Sequence, residues 1–144
     1  MYSGWGKSMA ELCRVLVVEP SDLFRSFLDA VMDDAGYDVL AVAPDEHLAS
    51  LLEQQDFHIV ILASAIAQRC GGALLLAKLA RRRGCAVIIA LDEIWHRAAF
   101  ANGGYSFLWK PFRPRDLVAL VDRVREEFGM TCEPSRATRE RSDV

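Results

Sequence analysis

Four apolar runs in this sequence end on residues whose side chains decide what chemistry can happen there. CRVLVVE (13–19) ends on Glu19 and is followed by Pro20, FHIVILA (57–63) ends on Ala63, CAVIIAL (85–91) ends on Leu91, and YSFLW (105–109) is followed by Lys110. Glu19 offers a carboxylate and Lys110 an ammonium, so charge pairing or anion binding is open to them. Pro20 brings no ligand and no backbone N–H. The Ala63 methyl can neither attack an electrophile nor bind a cation, and Leu91 can make no hydrogen bond. Asp92 and Glu93 follow CAVIIAL and would, with Glu19, supply oxygen ligands for a hard cation. Their plainer role is preferred: Asp92 caps the helix that follows and Glu93 suits its first turn.

Other constellations fail on spacing or context. His47, His58 and His96 fall on three different segments, too scattered for a metal or catalytic set. GWGKS (4–8) lacks the earlier glycine and the preceding strand of a phosphate-binding loop. Glu19-Pro20-Ser21-Asp22 has no Gly or Thr run to cradle a flavin phosphate. Arg81–Arg83, Arg113, Arg115 and the tail arginines lack interleaved aromatics, and read as solvated helix ends rather than a nucleic-acid surface. Cys13, Cys70, Cys85 and Cys132 show no C-x-x-C spacing, and Cys13 and Cys85 open apolar runs, so reduced, packed thiols are expected. A net charge of −3 gives no global attraction to nucleic acid or anionic lipid. No apolar run reaches the ~18–20 residues of a membrane span, and the N-terminus lacks a secretory signal's apolar stretch, so a cytoplasmic protein with no membrane partner is expected.

The elements that must position these residues follow from periodicity. At 144 residues with 52% hydrophobic and 26% charged residues, one domain with its own core is expected, without a disulfide or metal staple. Five apolar runs, YDVLAVA (37–43) being the second in order, alternate with five helix-like segments. The central runs are nearly continuous in Val, Ile and Leu, the mark of strands covered on both faces. Leu117, Val121, Val124 and Phe128 fall at i, i+4, i+7 and i+11, one apolar stripe on a solvated last helix. A strict (βα)5 alternation predicts an α/β fold: a doubly wound, five-stranded parallel sheet whose crevice lies at the carboxyl ends of the strands. Residues 12–128 form the domain, with 1–11 and the polar 129–144 expected to be flexible.

RVLVVEPSDLFRSFLDAVMDDAGYDV and GGYSFLWKPFRPRDLVALV make residues 13–128 resemble a bacterial response-regulator receiver domain, of the flavodoxin-like, CheY-like fold. The resemblance implies a phosphoryl-accepting aspartate at Ala63, two acidic Mg²⁺ ligands at Glu19 and Pro20, a Ser or Thr at Leu91, and a lysine at Lys110. Of these, Lys110 is retained with Pro111 and Phe112, Glu19 keeps a carboxylate, and the rest are lost. A degenerate phospho-acceptor pocket is therefore expected, with no cofactor, no metal and no enzymatic activity. Ser64 follows Ala63, but strand alternation points it to the other face, so it is not expected to replace the acceptor. Without Mg²⁺ or a phosphoryl group Lys110 needs a partner, and a Glu19–Lys110 ion pair is expected. The Lys110–Pro111 bond is expected to be cis, as the resemblance implies.

The resemblance also places the family's switch aromatic at Phe107. With Leu91 in place of the hydroxyl, its coupling to phosphorylation lacks a trigger. Together with Trp95, Phe100, Trp109 and Phe112, this ring is expected either to pack beneath the fourth helix or to form a patch for a protein partner. The function expected is phosphorylation-independent signalling through protein–protein contact, with another signalling protein or with a second copy in a homodimer. The alternative is a receiver that binds a metal or small ligand through Glu19, Asp92 and Lys110.

Overall fold

Uninterrupted Val, Ile and Leu make the two most buried strands: all five residues of Ile59–Ala63 and all six of Ala86–Leu91 are buried. A computed structural model describes residues 11–67, 72–93, 96–101 and 103–135. The elements in chain order are β1 (Arg14–Val18), α1 (Asp22–Asp34), β2 (Asp38–Val42), α2 (Leu48–Gln54), β3 (Ile59–Ala63), α3 (Gly72–Arg82), β4 (Ala86–Leu91), α4 (His96–Ala99), β5 (Ser106–Trp109) and α5 (Pro114–Glu127). The five strands form one parallel sheet in the order β2-β1-β3-β4-β5. The doubly wound α/β architecture expected from the alternation is the one observed.

Side chains alternate across the sheet and so build two cores. On one face Leu16, Val60, Val87 and Ile89 meet Leu48 and Leu52 of α2 and Leu76 and Ala77 of α3. On the other, Val15, Val17, Ile61 and Ile88 meet Leu28 and Met32 of α1 and Leu117, Val121 and Val124 of α5. The strand order reverses between β1 and β3, so the carboxyl ends of these two strands flank the crevice where such sheets carry their sites. Those ends are Glu19 and Ala63.

Local chemistry fixes the helices that border the crevice. The Ser21 side chain accepts from the Phe24 amide at 3.2 Å and starts α1. Pro114 opens α5, and the Arg113 amide donates to Asp116 at 3.1 Å. That hydrogen bond, with the Arg113 charge, holds the Asp116 carboxyl below its ordinary value.

Two expectations are corrected at the opposite end of the sheet. Cys13 and Cys132 are joined by a disulfide across 119 residues of sequence; reduced thiols had been expected. The reason is topological: after α5 the chain turns back and lies beside the start of β1, where Leu12 and Glu133 form a parallel bridge. The Cys13 amide donates to the Glu133 carbonyl at 3.1 Å, the Glu133 amide to the Glu11 carbonyl at 3.0 Å, and the Ser135 amide to Gly36. Residues 129–135, expected in a flexible tail, are thus hydrogen-bonded to α5, to the segment before β1 and to Gly36. Cys85 remains a free, buried thiol whose pKa is raised, chiefly by desolvation. Cys70 lies outside the described residues.

Candidate functional site

β1 delivers Glu19 into the crevice and β5 delivers Lys110, two residues 91 positions apart. Lys110 Nζ lies 2.6 Å from Glu19 Oε1 and 2.8 Å from Asp92 Oδ1. The expected Glu19–Lys110 pair is present, and it is nearly dry: the Glu19 side chain is 3% exposed and that of Lys110 15%. The second Glu19 oxygen accepts from the Ser21 amide at 2.9 Å, so the turn into α1 holds the carboxylate in place. Lys110 also sits 4.5 Å from the centre of the Phe24 ring, a cation–π contact that shields it from above. The Lys110–Pro111 bond is cis.

The Asp92 carboxylate turns to Lys110 and to Ser64; the amides it was expected to cap, at residues 94 and 95, lie outside the described residues. The Ser64 hydroxyl accepts from the Asp92 amide at 2.9 Å and donates to Asp92 Oδ2 at 3.3 Å. It also lies 2.7 Å from His96 Nδ1. Sequence reasoning set Ser64 apart by strand alternation, but β3 ends at Ala63, and in the turn that follows the alternation no longer governs direction. His96, read as an isolated histidine, joins the same network. The adjacency of a serine to the strand end was the one signal that could have found it.

Ala63 is 2% exposed and Leu91 fully buried, both packed into the sheet core, and Pro20 is exposed. Among the described residues no group of three His, Cys, Asp or Glu side chains is placed to hold a metal ion. Among the described residues the crevice sets the Lys110 ammonium against the Glu19 and Asp92 carboxylates, with the Arg25 guanidinium beside them, donating to the Glu19 carbonyl at 2.9 Å and paired with Asp22 at 2.6 Å.

The aromatics, expected either to pack beneath the fourth helix or to form a patch, are distributed over both faces of the sheet. Phe100 is 4% exposed and packs edge-on to Tyr105 and Phe107 at 5.9 and 6.5 Å. Phe107 is half-buried beneath Arg97, whose guanidinium sits 4.8 Å from the ring centre. Phe112 joins the other face, packing on Phe24 and Phe27 at 5.4 and 6.0 Å. Trp109 stays exposed, at 43%. Trp95 lies outside the described residues. The patch is thus reduced to Trp109 with Phe107 and Arg97 beside it, since the sheet core claims Phe100 and the α1 face claims Phe112.

A doubly wound parallel sheet with a lysine after β5 and an acidic residue after β1, meeting over the crevice, defines a class of signalling folds, and the comparisons with known proteins agree. The response regulator receiver domain matches residues 15–122. The chain is 32% identical over 130 residues to the transcriptional regulatory protein AruR of Pseudomonas aeruginosa, covering 81% of this chain and 52% of that protein. It therefore spans about half the length of that relative. Among solved structures, a CheY-like receiver domain protein from Methanospirillum hungatei superposes with a TM-score of 0.70 at 22% identity, covering 83% of this chain and 98% of the other. A response regulator receiver protein from Sinorhizobium medicae gives 0.74 at 17% identity, covering 82% and 98%. The chain belongs to the response regulator receiver domain family. It is a receiver domain of two-component signalling. No helix among the described residues is long and apolar enough to cross a membrane.

Proposed function

We propose that this receiver signals without phosphorylation, as a degenerate pseudo-receiver that docks a protein partner in the cytoplasm and catalyses nothing. One observation carries the reading: an alanine ends β3 while the lysine that would meet a phosphoryl group is held by Glu19 and Asp92 at 2.6 and 2.8 Å. A phosphoryl group carries up to two negative charges, and the Glu19 and Asp92 carboxylates that hold Lys110 repel it. Freeing Lys110 would also leave Glu19 buried without its cation, which is strongly unfavourable. The pocket thus serves to fix the β5–α5 junction in one arrangement.

The docking face proposed is that of α4, β5 and α5, centred on Trp109, with Phe107 and Arg97 beside it. Exposed tryptophan and arginine are the residue types that dominate interface energies. The partner is another signalling protein or a second copy of the chain in a homodimer. The test is a two-dimensional amide NMR spectrum of the protein alone, with Mg²⁺, and with Mg²⁺ plus beryllofluoride, an acyl-phosphate mimic. Unchanged peaks at Glu19, Ser64, Asp92 and Lys110 are expected. Saturable shifts there overturn the proposal and mean that the crevice still takes a metal or anion.

A further inference from the structure

The amino-terminal end of the sheet, opposite the crevice, carries a covalent feature that phosphoryl signalling does not use. The Cys13–Cys132 disulfide fastens residues 131–135, here termed the strap, across the start of β1 and onto Gly36. We propose that this disulfide is a reversible redox site: oxidised, it seats the strap and fixes where the chain leaves the domain; reduced by a dithiol, it lets the strap peel away.

Three features of the strap favour release once the covalent bond is gone. Its grip is then three backbone hydrogen bonds and the long contact of Arg125 Nη1 with the Cys132 carbonyl at 3.4 Å. Thr131 and Glu133 face solvent, and beyond Cys132 the strap's apolar contact is that of half-buried Pro134 beside Gly36. Arg125 Nε is buried without a hydrogen-bond partner, and opening the strap lets it reach water. Reversal is equally accessible. Only Phe128–Thr131 separate the end of α5 from Cys132, and Cys13, immediately before β1, stays held by the Asp38 amide donating to its carbonyl at 3.0 Å, so the two sulfurs remain close. Disulfides in the cytoplasm of mesophiles are mostly transient, catalytic or sensing. That last step relies on the cytoplasmic placement proposed above, whereas the strap geometry stands without it.

Both sulfurs are buried, with Cys13 0% and Cys132 1% exposed, so exchange begins from a transiently lifted strap. A thiolate of the reductant attacks Cys132 Sγ, and the S–S electron pair leaves on Cys13 Sγ, which takes up a proton. The reductant's second thiolate then attacks the mixed disulfide and releases Cys132 as a thiolate that is protonated in turn. Two electrons and two protons have passed to the protein, and the dithiol has become a disulfide.

The experiment is amide hydrogen exchange on the full 144-residue chain, oxidised, reduced with dithiothreitol, and as the Cys132→Ser variant. The amides of Cys13, Glu133 and Ser135 report the strap, and those of β3 and β4 report the core. Reduction is expected to cut strap protection at least tenfold more than core protection, with C132S matching the reduced form and reoxidation restoring the original pattern. Equal loss in strap and core overturns the proposal and makes the disulfide a structural staple. Unchanged strap protection in C132S, or free Cys13 and Cys132 thiols after oxidation, overturns it as well. None of these readouts depends on Mg²⁺ or beryllofluoride, so the two proposals fail separately.

Discussion

Replacing Lys110 by Met removes the cation and keeps most of the apolar stem that lies against Phe24. Glu19, 3% exposed, is left with one hydrogen bond, from the Ser21 amide, and Asp92, whose side chain is 29% exposed, turns to water. Removing one partner of a buried pair costs about 3–5 kcal/mol. K110M is therefore expected to lose about 3 kcal/mol at pH 7. Glu19→Gln leaves Lys110 with Asp92 and an amide oxygen, and is expected to cost only about 1–2 kcal/mol. Urea unfolding followed by tryptophan fluorescence at pH 7 measures both. A K110M penalty below about 1 kcal/mol would refute the view that Glu19 depends on this lysine.

The Tyr37 hydroxyl donates to Asp122 at 2.5 Å and ties the α1–β2 turn to α5; losing this charge-assisted bond in Tyr37→Phe should cost about 1.5–3 kcal/mol in the same urea assay. Burial first, then the bond to Asp122 and its negative charge, raises the Tyr37 pKa above the unfolded value of about 10. The corresponding stability is full below that value and is lost as pH rises through it, so wild type should weaken in alkali more steeply than Y37F. Gly36 has φ +97°, and an added Cβ would come within 2.6 Å of the Ser135 carbonyl oxygen; Gly36→Ala should lift the strap and speed reduction of the disulfide by dithiothreitol, measured by thiol titration, at least tenfold. Trp109 is exposed and outside both cores, so Trp109→Ala should change stability by less than about 0.5 kcal/mol while weakening self-association or partner binding in sedimentation or pull-down experiments.

The parallel sheet was legible because β3 and β4 are apolar without interruption, a pattern that only strands covered on both faces sustain. The meeting of Glu19 and Lys110 was legible because the resemblance placed both at strand ends over one crevice. Asp92 was read from its neighbours as a helix cap, a local signal that could not show its pairing with an ammonium 18 residues further on. The placement of the aromatics was legible only in part, for a related reason. Alternation correctly put Phe107 and Trp109 on one face, but it says nothing about Phe112, which follows the cis bond, or about Phe100, which a four-residue α4 presses into the core. The disulfide was hidden because residues 119 apart meet only once the path of the chain after α5 is known.

Helix α5 connects the two ends of the molecule: it starts four residues after Lys110 and ends five before Cys132. Its 14 residues span about 21 Å. If it moved as a free rod, lifting the strap would shift the β5–α5 junction, and the redox site would control the docking face. The packing argues otherwise. Leu117, Leu120, Val121 and Val124 seat α5 in the core along its length, while the strap attaches only past its last turn. Lys110 is held independently, by β1 and by the residue after β4. Sites this far apart with no shared partner are additive to within about 0.5 kcal/mol. The double variant K110M/C132S should therefore lose the sum of the two single losses in urea unfolding at pH 7. A coupling above about 1 kcal/mol would mean that α5 transmits between the ends, and that oxidation of the strap acts on the docking face instead of only on the path of the chain beyond Ser135.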